Sequence, residues 1–91
     1  MQKISGAEMA IMEVIWNHKN PLTSKEIMEL IPNNSWKTTT VSTLISRLVE
    51  KGFLNAEKNG RQYLYRFLIS KKDYKIKDYI IFFKMQGMKE N

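Results

Sequence analysis

A helical wheel drawn over Lys37 to Gly52 sorts its side chains by chemistry. Val41, Leu44, Ile45 and Leu48 recur at i, i+3, i+4 and i+7, the spacing of one buried face. Thr39, Thr43, Ser46 and Glu50 lie on the far side, with Ser42 and Arg47 flanking them and Thr40 at the margin. An ordinary solvated helix face carries Glu, Lys and Gln, which favour the helix more than Thr and Ser do. Short hydroxyls beside a guanidinium suit a partner that is met edge-on and close. They can approach base edges, and Arg can reach a guanine or a phosphate. A plain surface helix is the competing reading of the same pattern.

The elements that would position this face come in order along the chain. Ser5-Gly6-Ala7-Glu8 has the form of a capping box, so a helix should start near Gly6. Met9, Met12, Ile15 and Trp16 then recur at helical spacing, with Ala10, Ile11 and Val14 widening the stripe. His18 to Pro21 reads as its end and a turn, since proline cannot continue a helix. Thr23-Ser24-Lys25-Glu26 is a second capping box, opening a short helix with Ile27, Leu30 and Ile31 inward and Met28 at the edge. Pro32 to Ser35 breaks it, and Trp36 is expected to staple the turn to the core. Gly52 is the expected stop of the third helix, with Lys51 near the negative end of its dipole. Two helices joined by a short turn match a helix-turn-helix, whose second helix lies in the major groove.

A hairpin is expected next. Phe53 to Glu57 and Gln62 to Leu68 alternate as strands around Asn59-Gly60, a type I′ turn signal. That loop pairs Lys58 with Arg61, Ala56 with Tyr63 and Leu54 with Tyr65. Leu54, Ala56, Tyr63, Tyr65 and Phe67 then share one face. The basic tip, Lys58 and Arg61, forms a wing able to touch phosphates or a minor groove. A third capping pattern, Ser70-Lys71-Lys72-Asp73, introduces a final helix with Ile76, Tyr79, Ile80 and Phe83 on one stripe. That stripe could pack on the domain, pair with a second copy, or lie on a membrane surface. The fold class is therefore α+β, mainly α. It is a winged helix-turn-helix (three helices plus a hairpin wing) over residues 1–70, followed by a C-terminal helix over 71–91.

Composition narrows the function. Ninety-one residues with 43% apolar content make one small globular domain. No apolar run approaches the roughly 18 residues of a membrane span, and no signal peptide opens the chain, so a cytoplasmic protein is expected. With no cysteine and one histidine, His18, neither a disulfide nor a metal site is expected, and no cofactor. No catalytic constellation is visible, so an enzyme is not expected. The net charge of +6 is uneven: three Lys face four Glu through Ile31, and the remainder carries twelve cations against five anions. That asymmetry suits a polyanion.

With these elements placed, the chain resembles the DNA-binding domain of the BlaI/MecI family of penicillinase and methicillin-resistance repressors. The resemblance rests on Ile4-Ser5-Gly6-Ala7-Glu8, Val14-Ile15-Trp16, Leu22-Thr23, Glu26-Ile27, Trp36, Thr40 to Leu48, Lys51 to Leu54, Gly60-Arg61, Tyr63 and Tyr65, and runs from about Ile4 to Tyr74. It implies a repressor bound as a dimer to a two-fold operator of double-stranded DNA; no membrane partner is expected, since nothing in the residues besides the final stripe suggests lipid. It also implies that Thr40, Ser42, Thr43 and Arg47 face DNA, with Arg61 on the wing. The chain departs from the family at Lys37-Thr38-Thr39, where members often carry Ser-Pro then Lys, and at Ser42, where a basic residue is common. Family members also continue into a helical dimerisation region, so this chain is either a fragment or a short member pairing through Ile76, Tyr79, Ile80 and Phe83.

The leading expectation is a sequence-specific DNA-binding repressor using Thr39, Thr40, Ser42, Thr43, Ser46, Arg47, Lys58 and Arg61, homodimeric in solution or only on DNA. The alternative is a winged-helix protein-interaction module without DNA binding.

Overall fold

The computed structural model describes residues 3–18, 21–32 and 36–75. Three helices precede a hairpin: α1 (Gly6–Trp16), α2 (Ser24–Leu30), α3 (Thr38–Glu50), β1 (Leu54–Asn59) and β2 (Gln62–Phe67). Both expected capping boxes form. Ser5 Oγ accepts from the Glu8 amide at 3.2 Å while Glu8 Oε1 accepts from the Ser5 amide at 2.8 Å. Thr23 and Glu26 do the same at 3.1 and 2.9 Å. These bonds satisfy amides that have no partner inside the first helical turn, and so fix where each helix begins.

The end of α3 is closed by a Schellman motif. The Gly52 amide donates to the Val49 carbonyl at 3.1 Å and the Phe53 amide to the Leu48 carbonyl at 3.0 Å. Gly52 has φ of 86°, and Phe53 and Leu48 are both buried, supplying the apolar contact that accompanies the motif. An added Cβ at Gly52 meets nothing within 4 Å, so only the backbone opposes a side chain there. Gly52→Ala is therefore expected to lower stability by about 1 kcal/mol, the cost of a left-handed L-residue. Urea unfolding measures it; an unchanged midpoint would mean that the left-handed turn carries no strain.

The core lies between the helices and the base of the hairpin, with Ile11, Met12, Ile27, Leu48 and Leu54 all essentially inaccessible. In α1 the buried residues are Glu8, Ile11, Met12, Val14 and Ile15, so Ile11, Met12, Val14 and Ile15 of the predicted stripe face inward while Met9, Ala10 and Trp16 are only partly buried. Glu8, read from the sequence only as a cap residue, also enters the core, where Lys51 pairs with its carboxylate. In α2, Ile27 and Ile31 point inward as expected, but Leu30 is 39% exposed. Ile31 leaves helical geometry (φ −70°, ψ 126°) as the C-cap and fills the inward position instead. Trp36 packs against the core, as a staple should.

The hairpin register differs from the expectation. Asn59 pairs with Gln62, Lys58 with Tyr63, Ala56 with Tyr65 and Leu54 with Phe67. The two loop residues are therefore Gly60 and Arg61. Only Gly60 among them has positive φ (65°), which is the pattern of a type II′ loop with glycine first, whereas type I′ would require Asn59 left-handed. The slip moves each partner by two residues, so the shared face of Leu54, Ala56, Tyr63, Tyr65 and Phe67 survives. That face closes the core only in part: Leu54 is buried and Ala56 and Tyr65 partly so, while Tyr63 and Phe67 stay 48% and 40% exposed. Leu22 adds a third position to the sheet, exchanging hydrogen bonds with Tyr65 at 2.8 and 3.2 Å. The result is the expected winged helix-turn-helix.

Residues 71–75 are helical after a cap in which Ser70 Oγ accepts from the Asp73 amide. This turn is pinned to α1. Trp16 Nε1 donates to the Ile69 carbonyl at 2.9 Å, Lys71 meets Glu13 at 2.9 Å, and Tyr74 packs on Trp16 and Phe53 with ring centroids 5.7 and 6.1 Å away. Ile76, Tyr79, Ile80 and Phe83 lie outside the described residues.

Candidate nucleic-acid interface

Four buried anchors hold α3 in place: Val41, Leu44, Ile45 and Leu48 are each at most 6% exposed. Their period leaves the opposite face to solvent. Thr39, Thr40, Ser42, Thr43, Ser46 and Arg47 are all exposed, so the wheel assigned this face correctly. Among the described residues Arg47 makes no ion pair, and neither do Lys58 and Arg61. Three cations are thus uncommitted to any described carboxylate. On the wing, Arg66 and Glu57 do meet, at 3.7 Å, but both are more than half exposed and the pair contributes little.

The corrected register separates the wing cations. Arg61 sits in the loop, while Lys58 lies within β1 opposite Tyr63, so the two do not face each other across the turn. Both remain exposed at the distal end of the hairpin.

The hydroxyls on α3 are not equivalent. Thr43 Oγ1 donates to the Thr39 carbonyl one turn back at 2.9 Å. Thr38 Oγ1, in the first turn, points toward Met28 Sδ at 3.5 Å and links α3 to α2. Between these helices an open groove of about 750 Å³ is lined by Ser24, Lys25, Met28, Glu29, Thr38, Val41 and Ser42. Ser24 and Lys25 therefore share a surface with Ser42. Sequence reasoning passed over them because Ser24 and Lys25 read as parts of a capping box, and only the relative placement of two helices brings them beside α3. Among the described residues no group of three or more His, Cys, Asp or Glu side chains is placed to hold a metal ion. No helix among them is long and apolar enough to cross a membrane.

The α3 face thus carries six exposed polar side chains backed by an apolar seam, with the basic tip of the hairpin beyond it. The sequence pattern of the penicillinase repressor family matches residues 4–81. The chain belongs to the penicillinase repressor family. It is 40% identical over 72 residues to the penicillinase repressor of Bacillus licheniformis, covering 79% of this chain and 56% of that one. The solution structure of the DNA binding domain of the repressor BlaI superposes with a TM-score of 0.67 at 37% identity, over 81% of this chain and 94% of that domain. Bacillus licheniformis BlaI in monomeric form in complex with the blaP half-operator superposes with a TM-score of 0.65 at 38% identity, over 80% and 89%. The chain spans a little over half the length of the full-length relatives it matches.

Proposed function

We propose that this chain is a sequence-specific reader of double-stranded DNA acting in transcriptional repression, with α3 in the major groove and the wing on the backbone. The observation that carries the reading is the solvent face of α3, where short hydroxyls and Arg47 stand on a fully buried apolar seam. Thr39, Thr40, Ser42, Thr43, Ser46 and Arg47 are assigned to the groove. Lys58 and Arg61 are assigned to phosphates, where the wing extends the contact without reading sequence. That Bacillus licheniformis BlaI, which superposes on this chain, is found in complex with the blaP half-operator supports double-stranded DNA as the partner. The module binds; it is not assigned a reaction, and its place of action is the cytoplasm, where the DNA is.

Two copies on a two-fold operator complete the reading, paired through the stripe of Ile76, Tyr79, Ile80 and Phe83, formed either in solution or on DNA. Linking two half-site contacts raises affinity through effective concentration. The first turn after Ser70 is pinned to α1 through Trp16 and Glu13.

Fluorescence anisotropy with a labelled duplex carrying the blaP half-operator as a two-fold repeat, and with its scramble, tests the proposal at several salt concentrations. Preference for the operator with a steep salt slope is expected. Binding to neither duplex at low salt would instead favour the protein-interaction module. In the same assay Lys58→Ala and Arg61→Ala are each expected to weaken both duplexes alike and to reduce the salt slope by about one per bound copy. Selective loss on the operator alone would move that residue from the backbone to a base.

A further inference from the structure

A hydroxyl group carries one hydrogen beside its acceptor lone pairs, and the use of that hydrogen decides whether a threonine can donate to a base pair. Among the described residues the side chains of Thr39, Thr40, Ser42 and Ser46 make no hydrogen bond, so each keeps its donor for a partner. Thr43 differs. Its hydroxyl donates to the Thr39 carbonyl at 2.9 Å, along the helix rather than away from it. The major-groove acceptors are guanine O6 and N7, adenine N7 and thymine O4, and Thr43 has no hydrogen left for any of them. Its methyl group is uncommitted. Thr43 also borders a shallow hollow of about 280 Å³ lined by Thr39, Thr40, Thr43, Leu44 and Arg47, in which Leu44 and the threonine methyls supply apolar surface. A major-groove feature matched to an apolar hollow is the thymine 5-methyl, the one methyl group that the four base pairs display there.

We infer that Thr43 is a specificity-determining residue that selects a thymine by methyl-to-methyl contact, with its own hydroxyl held inside the helix. The inference rests on the proposed DNA reading, and adds to it which chemical group is read at this position. It separates two substitutions that would otherwise look alike. Thr43→Val keeps the methyl and the branched shape and discards the hydroxyl. Thr43→Ser keeps the hydroxyl and discards the methyl.

The experiment begins with duplexes selected from a random library by the full chain. The best duplex is remade with each thymine in turn replaced by deoxyuridine, which removes only the 5-methyl. The parent chain is expected to lose about three- to tenfold in affinity at one thymine of each half-site. Thr43→Val is expected to bind within about twofold of the parent and to keep that penalty. Thr43→Ser is expected to bind about three- to tenfold more weakly and to be indifferent to the same deoxyuridine. Thr43→Val losing affinity while Thr43→Ser keeps it would overturn the inference and return the hydroxyl to the base. So would the absence of any deoxyuridine-sensitive position. If the parent selects no duplex at all, the DNA reading itself fails, an outcome visible before any variant is made. Thr43 is exposed, so circular dichroism melting is expected to show both variants folded.

Discussion

Lys51→Ala is expected to lower the stability of the domain by about 3 kcal/mol, on the order of 15 °C in Tm, far more than an ordinary surface lysine. Glu8 is 1% exposed, and its Oε1 accepts from the Lys51 ammonium at 2.7 Å. The same ammonium donates to the Lys3 carbonyl at 2.9 Å, so one side chain at the end of α3 ties down both the start of α1 and the segment before it. Glu8 Oε2 is buried with no hydrogen-bond partner among the described residues. Without Lys51 the carboxylate would keep only its helix-cap bonds to Ser5, inside an apolar wall, and an uncompensated buried charge is what makes broken pairs costly. The Lys51 side chain is 22% exposed, which places the expected loss at the low end of the range for such pairs. Thermal and urea unfolding give the value. A loss under about 0.5 kcal/mol, typical of surface substitutions, would show that the pair is solvated. Glu8→Gln in the Lys51→Met background is expected to recover part of the loss, because it removes the stranded charge while keeping an acceptor for the cap.

The pH dependence of this pair has opposite signs in the parent and the variant. Burial pushes the Glu8 carboxyl up, but the Lys51 hydrogen bond, the Ser5 amide and hydroxyl and the Lys51 charge together hold it below its ordinary value of 4.5. A group depressed in the folded state contributes stability that is complete above its unfolded pKa and is lost as pH falls through the folded one. Parent stability should therefore drop as pH falls below about 4.5. In Lys51→Met the burial is opposed only by the cap, so the carboxyl rises and protonation relieves the variant. The stability gap between the two proteins should narrow from pH 7 to pH 4. A gap that widened over this interval would contradict the assignment.

Much of this molecule was legible in its residues because local signals agreed. Capping boxes at Ser5 and Thr23, the four-residue seam of α3 and the stop at Gly52 each depend on neighbours a few positions away. The features that were not legible depend on contacts across the chain. Glu8 could be recognised as a cap residue, but its burial depends on Lys51, forty-three residues later. The Leu22–Tyr65 bridge is a single pairing, too short to leave an alternating pattern. At the hairpin tip, Asn59-Gly60 and Gly60-Arg61 offer alternative two-residue loops, and the choice rests on whether Asn59 or Gly60 opens the turn. The candidate site follows the same division. The outward face of α3 is periodic and so was readable, whereas the α2 side of the groove needed the fold; the internal bond of Thr43 is local, but it depends on a side-chain rotamer that the spacing of residues does not set.

Arg47→Ala is expected to cost about 1–3 kcal/mol of operator affinity per half-site, roughly 5- to 150-fold, and more when both halves of a two-fold site are occupied. Arg47 is exposed on the same face as Thr43, borders the same hollow and makes no ion pair among the described residues. Two contacts are open to a guanidinium there, and they leave different signatures. A bidentate bond to guanine O6 and N7 would make the loss large on the operator and small on the scramble, and would relax the preference at one base pair. A phosphate contact would weaken both duplexes equally and lower the salt slope by about one per copy. The neighbouring hydroxyls favour the base. Thr39, Thr40 and Ser46 are short, so the helix surface around Arg47 lies close to whatever it faces, and a long side chain among short ones reaches past them. Arg47→Lys separates charge from geometry: an ammonium keeps the phosphate attraction but loses the planar fork. Restoration by lysine on both duplexes would place Arg47 on the backbone. A lysine variant that leaves the loss on the operator unrestored, with scramble binding near the parent's, would fix it as a reader of sequence.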